Sequence, residues 1–192
     1  MSNTRKMLIE VARQLFAKTG KKDVTMNDIA EASKKGRRTL YTYFNNKEEI
    51  YKAVIDKELD TILERLNVVS AQKLEPDEKL TAHILTHLDA VKDVVNRNGS
   101  LRADFFHDIY EVERKRRKID VKEIVLIRSI IIEGIKKNIF KRMDPDLSSM
   151  IIFYSIKGLE VPYIRQNINS EFEKNKNSIV EFVFQGIKKK HL

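Results

Sequence analysis

Residues 25–44 read TMNDIAEASKKGRRTLYTYF and contain two short helical patterns with a tight turn between them. Thr25 and Asp28 are spaced as a capping box, with Asp in place of the usual Glu or Gln, so a helix is expected to start there. Residues 34–36 (KKG) form the connection, and Gly36 can serve as the N-cap of the second helix. This arrangement predicts a helix-turn-helix.

Helical spacing of apolar residues continues on both sides of this stretch. Residues 5–18 form a helical pattern that stops before Gly20, and Asn46 and Glu49 mark the start of a helix that continues past Leu59. The sequence has no internal repeat and no long strand-like alternation. Longer helical patterns follow at residues 76–98, 101–117, 121–141, 145–167 and 171–189.

The composition agrees with an all-α fold. The 192 residues include only 6 Gly and 3 Pro, too few for a turn-rich β-sandwich, and 42% of them are hydrophobic, enough for a core. We therefore expect an N-terminal three-helix domain with the helix-turn-helix at residues 1–50, joined to a larger helical bundle at residues 51–192.

The formal net charge is +9, which favours nucleic acid or an anionic membrane surface as a partner. Basic residues cluster at 34–38, 114–118 and 188–190, and the last two clusters are expected to be solvated. No stretch approaches the roughly 18 apolar residues of a membrane span. The chain has no cysteine, and its N-terminus has no apolar run of signal-peptide length. We therefore expect a cytoplasmic protein with no membrane partner.

The second helix of the predicted helix-turn-helix has an apolar and a polar face. Leu40 and Phe44 are four residues apart and are expected to turn inward, whereas Tyr41 could face either way. In such motifs the second helix enters the DNA major groove. Arginine can bind guanine there through two hydrogen bonds, and threonine offers a methyl group to thymine or a hydroxyl to phosphate. The residues expected to face outward are Arg37, Arg38, Thr39, Thr42 and Tyr43.

The sequence TMNDIAEASKKGRRTLYTYFNNKEEIYKAV resembles the DNA-binding signature of the TetR/AcrR family, the tetracycline-repressor-like transcriptional regulators. The shared elements are T-x-x-x-I-A, then T-L-Y-x-x-F, then K-E-E at the start of the next helix, and the resemblance covers roughly residues 5–55. Family members usually have a small and an apolar residue in the turn, where this chain has Lys34 and Lys35. The resemblance implies that Lys47 reaches a phosphate and that Thr25, Arg37, Thr39, Tyr41 and Tyr43 lie at or near DNA. Thr25 also stands at a helix N-terminus, where phosphates bind readily.

The resemblance further implies a homodimer, built from the last two long helices of each chain, that binds an inverted-repeat operator. Two apolar stripes in the sequence support this independently, although each stripe could instead cover the chain's own core. One stripe between residues 145 and 167 includes Ile152 and two small residues. The candidate interface residues are Ile151, Ser155, Gly158, Leu159, Ile179, Phe182 and Val183.

An effector cavity in the helical bundle is the last implication of the resemblance, and an apolar or amphipathic molecule is the default occupant of such a pocket. Core packing is the alternative interpretation for every candidate lining residue. These candidates are Phe105, Phe106, His107, Tyr110, Tyr154 and Tyr163.

Other classes of function are less well supported. His83 and His87 share a helix face, as two metal ligands would, but residue 84 is Ile rather than a catalytic Glu and no third ligand is evident, so core or surface histidines are expected. The chain has no Gly-rich phosphate loop and no G-x-S-x-G motif, so we expect no enzyme and no metal or cofactor. A ligand-released repressor is the preferred function. The alternative is a helical carrier that sequesters an apolar ligand without specific DNA binding.

Overall fold

The computed structural model describes residues 2–99, 110–164 and 176–188, and the side chains of all these except 95, 110–115, 161–164 and 176. Throughout these ranges the regular structure is helical, with one isolated bridge between Phe140 and Lys188, which confirms the predicted all-α class. None of the helices in them is long and apolar enough to cross a membrane. The helices are α1 (Asn3–Thr19), α2 (Met26–Ala32), α3 (Arg37–Tyr43), α4 (Lys47–Ser70), α5 (Pro76–Arg97), α6 (Tyr110–Lys136), α7 (Pro145–Ile164) and α8 (Lys176–Ile187).

Helix α6 differs from the sequence-based expectation. Two helices were expected, at 101–117 and 121–141, with the solvated basic run 114–118 at the junction between them. The structure instead has one helix through this run, from Tyr110 to Lys136. The physical reason is in the sequence, because residues 111–133 contain neither Gly nor Pro to end a helix.

The chain forms two compact units. Unit 1 comprises residues 1–60 and 93–117, and unit 2 comprises residues 61–92 and 118–192. The boundaries fall within α4, α5 and α6. The functional division near residue 50 stays a prediction.

Unit 1 is built around the apolar faces of its short helices. Phe16 of α1 is fully buried and meets the ring of Tyr51 edge-on at a centroid distance of 6.0 Å. Leu40 and Phe44 are also buried, as the sequence predicted. Because a seven-residue helix is not stable alone, this burial is what holds α3 in place.

A buried carboxylate joins the two chain segments of unit 1. Glu58 of α4 accepts hydrogen bonds from Arg97 Nε at 2.7 Å and from Asn98 Nδ2 at 2.8 Å. Gly99 follows at φ 43°, so close to α1 that an added Cβ would lie 2.5 Å from the carbonyl oxygen of Ala17. The end of α5 is therefore fixed against α1 and α4 by a charged pair and by a position that requires glycine.

Helix α2 ends in a Schellman motif. The N–H of Lys35 donates to the carbonyl of Ala30 at 3.1 Å, and the N–H of Lys34 donates to the carbonyl of Glu31 at 2.9 Å. These bonds require a left-handed residue after the cap, and Lys34 occupies that position with φ 53°. For a residue with a Cβ, this conformation costs roughly 1–2 kcal/mol relative to the right-handed one.

Unit 2 has an apolar core to which α5, α6, α7 and α8 all contribute. Its fully buried side chains include Ile84, Ile127 and Phe153, and Phe140 from the loop after α6 packs among them. Gly134 makes room for Phe140, because a Cβ at Gly134 would lie 2.1 Å from the Phe140 ring.

A buried polar cluster lies in the same unit. His87 bridges two carboxylates, with its Nδ1 2.7 Å from Glu123 Oε1 and its Nε2 3.1 Å from Glu160 Oε1. His83 Nε2 lies 3.2 Å from the same Glu123 oxygen. All four side chains are buried. The two histidines therefore belong to the core; within the described ranges no group of three or more His, Cys, Asp or Glu side chains is arranged to hold a metal ion.

The cluster is held by charge. Burial opposes protonation of His87, but the charges and hydrogen bonds of Glu123 and Glu160 outweigh it and raise the pKa of His87 from 6.5 to about 10. Burial also opposes ionisation of Glu123, yet the charge of His87 and hydrogen bonds with both histidines lower the pKa of that carboxyl from 4.5 to about 2. At neutral pH the cluster thus contains an imidazolium between carboxylates.

We expect the stability of the protein to depend on pH through this pair. The pKa of His87 is raised on folding, so its contribution is complete below pH 6.5 and is lost as the pH rises towards 10. The pKa of Glu123 is lowered, so its contribution is complete above pH 4.5 and is lost as the pH falls towards 2. Urea unfolding measured as a function of pH should show both contributions to the free energy of unfolding complete between pH 4.5 and pH 6.5.

His87→Gln should reduce the free energy of unfolding by about 3–5 kcal/mol at pH 6, because it leaves buried carboxylates without their cation. The variant should also show a weaker decline of stability between pH 7 and 10. An unchanged alkaline decline in the variant would show that His87 is not its source.

Candidate DNA-binding surface

The start of α2 is fixed by the predicted capping box. The Thr25 hydroxyl accepts the Asp28 N–H at 3.2 Å, and Asp28 Oδ2 accepts both the N–H and the hydroxyl of Thr25 at 2.7 Å. The hydrogen bond from the Thr25 N–H lowers the pKa of the Asp28 carboxyl. The N–H and the hydroxyl of Thr25, the two groups that could donate to a phosphate, are therefore engaged within the chain, and Thr25 acts first as a cap.

Helix α3 turns its polar face to solvent. Arg37, Arg38 and Thr42 are exposed, and Thr39 and Tyr43 are half-buried. Tyr41, whose direction the sequence left open, is 44% exposed and faces outward. The Thr42 hydroxyl donates to the carbonyl of Arg38 at 2.9 Å, which leaves its methyl group and the two lone pairs of its oxygen for other contacts.

A clamp fixes the end of α3 to the start of α4. The Glu49 carboxylate accepts the backbone N–H of Asn45 at 2.8 Å and the Asn45 side-chain amide at 3.0 Å. Asn46 Oδ1 in turn accepts the N–H of Glu49 at 3.0 Å, as the sequence predicted for a helix start. The hydrogen bonds from Asn45 hold the pKa of Glu49 below its usual value. The segment that follows α3 is thus fixed to the first turn of α4.

Lys47 has a different environment from the one that the sequence suggested. Its ammonium group donates to the carbonyls of Lys21 at 2.8 Å and Lys22 at 3.2 Å, and the side chain is half-buried. It therefore connects the start of α4 to the loop before α2. One of its three N–H donors remains for a phosphate, and that role stays a prediction.

The cations at the turn and on α3 have no acidic partners. Lys34, Lys35, Arg37 and Arg38 are exposed and make no side-chain hydrogen bond or ion pair with any residue that the structure describes. Lys21, by contrast, pairs with Glu48 at 2.6 Å. Four uncompensated positive charges beside an exposed polar helix define a surface suited to a polyanion.

A helix-turn-helix with this charged face defines a DNA-binding protein. Residues 8–54 match the family described as bacterial regulatory proteins, tetR family. The matched stretch includes α2, α3, most of α1 and the start of α4. The DNA-binding part of the chain is therefore that of a TetR-family transcriptional regulator.

Proteins that resemble this chain over most of its length are also named as regulators. An uncharacterized HTH-type transcriptional regulator, YhgD of Bacillus subtilis, is 26% identical over 77% of this chain and 78% of its own. The fatty acid metabolism regulator protein of the same species is 23% identical over 95% of each chain. The crystal structure of a transcriptional regulator from Cytophaga hutchinsonii has the same fold, with a TM-score of 0.79 and 23% identity, over 96% of this chain and 98% of that one. These relatives are regulators rather than enzymes.

The predicted effector-binding residues are only partly visible. Phe105, Phe106 and His107 lie outside the described residues, as do the side chains of Tyr110 and Tyr163. Tyr154 requires a correction, because it is 56% exposed on α7 and therefore does not line an interior cavity of the chain. Its ring packs edge-on against Phe153, which occupies the inward face instead.

The predicted dimer residues divide into two groups. Ile151, Ser155, Gly158 and Phe182 are exposed. Leu159, Ile179 and Val183 are half-buried against the core of unit 2, and Ile152, part of the same predicted stripe, is fully within it. Three more exposed apolar residues lie on this face of α7 and were not among the predicted dimer residues: Leu147, Met150 and Tyr154. Their helical spacing of three and four could have identified them.

We expect Lys47→Met to destabilise unit 1, because the carbonyls of Lys21 and Lys22 lose a charged donor. A loss of about 1 kcal/mol corresponds to a fall in Tm of roughly 2–4 °C for a chain of this size, measured by circular dichroism. Lys22→Met removes an exposed cation from the same loop and should leave Tm unchanged. Equal Tm values for the two variants would exclude the structural role of Lys47.

Proposed function

We propose that this protein is a repressor that binds an inverted-repeat operator as a homodimer and is released by a small apolar or amphipathic effector. It acts by binding rather than by catalysis, in the cytoplasm where its operator lies. The observation that carries the DNA-binding part is the exposed face of α3 with its unpaired arginines.

Recognition follows from the direction of the side chains on α3. In this proposal Arg37 and Arg38, at its N-terminus, read guanine in the major groove, and Thr39, Thr42 and Tyr43 follow along the helix. Tyr41, exposed at the adjacent position, contacts the DNA backbone. Thr25 and Lys47 act near phosphates while they hold α2 and α4 in place.

The proposed dimer rests on the exposed apolar face of unit 2. Leu147, Met150, Ile151 and Tyr154 form a row along α7, and Phe182 of α8 is 77% exposed. Between them lies a groove of about 680 Å³ lined by Ile151, Ser155 and Val183 among others. Large exposed apolar side chains in such a row indicate a protein interface. The small residues Ser155 and Gly158 allow a second copy to approach closely, and nothing lies within 4 Å of a Cβ at Gly158.

Release by an effector requires that the ligand bind two arrangements of the protein unequally. TetR-family regulators bind DNA and small molecules, typically as dimers. The similarity to a fatty acid metabolism regulator makes acyl compounds the first effectors to test. A coupling free energy of about 1–3 kcal/mol would weaken DNA binding by roughly 5- to 150-fold, and operator DNA would weaken effector binding equally.

Arg37→Ala and Arg38→Ala test base recognition. If each arginine reads one guanine, each variant should lose about 1–3 kcal/mol of binding free energy on the native operator and relax its preference at one base pair. The assay is a gel shift against the DNA upstream of the protein's own gene, repeated with single-base operator variants. Lys122→Ala, an exposed residue of unit 2, removes the same charge and should bind like the unmodified protein. Equal base preferences in all four proteins would remove the arginines from base recognition.

Ile151→Lys and Phe182→Lys test the dimer. The unmodified protein should have a mass of about 45 kDa by light scattering, twice the 22.5 kDa of one chain. Each substitution places a charge in the proposed interface and should give monomers that no longer bind a two-half-site operator, whose centres are about 34–36 Å apart or a multiple of that. Val121→Lys alters an equally exposed apolar residue of α6 and should leave the dimer intact. A monomeric unmodified protein at micromolar concentration would end the proposal.

A further inference from the structure

The turn between α2 and α3 contains lysines at two positions where the cap of α2 favours other residues. Lys34 is the left-handed residue of the Schellman motif, and Lys35 is the residue after it. The first position favours glycine, and the second often has an apolar side chain that packs back on the helix. In this chain both side chains are exposed.

Two other helix ends have a residue with positive φ, and there the residue type is one that this backbone conformation favours. Positive φ also occurs at Gly20, which ends α1 at 88°, and at Asn138, which follows α6 at 60°. Glycine and asparagine are the two residues that tolerate this region best. Among the residues that the structure describes, Lys34 is the single positive-φ residue that is neither Gly nor Asn. Departures from local preference are expected at functional positions.

The charge of the two side chains indicates what that function is. Neither lysine pairs with an acidic residue in the described part of the chain, and Arg37 and Arg38 follow directly after Gly36. The ammonium groups therefore add positive charge at the N-terminal end of α3, where the bases are read. A flexible lysine there suits phosphate, which any DNA sequence presents, better than a particular base.

We propose that Lys34 and Lys35 bind DNA phosphates beside the base pairs that α3 reads, and that the turn retains them at the expense of the stability of α2. This inference rests on the proposed DNA binding. It assigns to the turn a contribution to affinity that is independent of operator sequence.

The test uses the full chain and three substitutions in the turn. Lys34→Gly removes the charge and the backbone strain, Lys34→Arg keeps both, and Lys35→Ala removes a charge that no strain accompanies. Lys122→Ala is the matched control for net charge. Affinity for the native operator and for unrelated duplex DNA is measured between 50 and 200 mM salt, and Tm is measured without DNA.

Lys34→Gly should raise Tm by about 2–4 °C. Lys34→Gly and Lys35→Ala should each weaken binding to both DNAs and make the slope of log K against log salt less steep by about 0.9. The difference in affinity from the unmodified protein should then shrink by about 3.5-fold over this fourfold range of salt. Lys34→Arg and the control should keep the original slope and Tm.

Each other outcome contradicts a defined part of the proposal. If the unmodified protein binds its operator and Lys34→Gly and Lys35→Ala have its affinity and salt slope, the phosphate contacts are wrong while DNA binding by α3 stands. If Lys34→Gly lowers Tm, the exchange of stability for affinity is wrong. Weaker binding to the native operator alone, with unchanged affinity for unrelated duplex DNA, would make the lysines base readers. Failure of the unmodified protein to bind any duplex DNA would instead reject the proposed function.

Discussion

The burial of Leu40 and Phe44 is the contact on which DNA recognition depends. Helix α3 has only seven residues, so its own hydrogen bonds cannot keep it folded. The two buried side chains determine which face of the helix is turned to solvent. The guanidinium of Arg5 lies 4.9 Å from the centre of the Phe44 ring and covers that anchor. The Glu49 carboxylate fixes the segment directly after it. The exposed arginines are therefore presented by a rigid helix although the helix is short.

Most of this arrangement could be predicted from sequence because it depends on local rules. The Thr25–Asp28 cap, the start of α4 at Asn46 and the inward direction of Leu40 all follow from residue spacing, and the structure contains each of them. The role of Lys47 could not be predicted in the same way. Its partners are carbonyls more than twenty positions earlier, and a backbone carbonyl leaves no signature in the sequence.

The helical body was less predictable because an apolar pattern does not say which partner covers it. Ile151 and Ile152 are adjacent in one predicted stripe, yet Ile152 is buried in the core and Ile151 faces solvent. The same ambiguity placed Tyr154 in a cavity when it lies on the surface. For His83 and His87 the pattern showed a shared helix face, but Glu123, which lies between them in space, comes from another helix.

With a pKa of about 10 for His87 and about 2 for Glu123, neither group changes charge near neutral pH. The His87–Glu123 pair is therefore a lasting ionic contact of the core at neutral pH.

The composition of unit 1 has a consequence for synthesis of the chain on the ribosome. Glu58 finds its partners only when Arg97 and Asn98 have emerged, and the compact unit extends to residue 117. At about 5–20 residues per second, the 57 residues between positions 60 and 117 take roughly 3–11 s to translate. Until Arg97 and Asn98 are made, part-way through this interval, Glu58 of the nascent N-terminal segment is without these two partners. Unit 1 therefore completes its folding only after the first segment of unit 2, residues 61–92, has been made, although its proposed DNA-reading residues lie near the beginning of the chain.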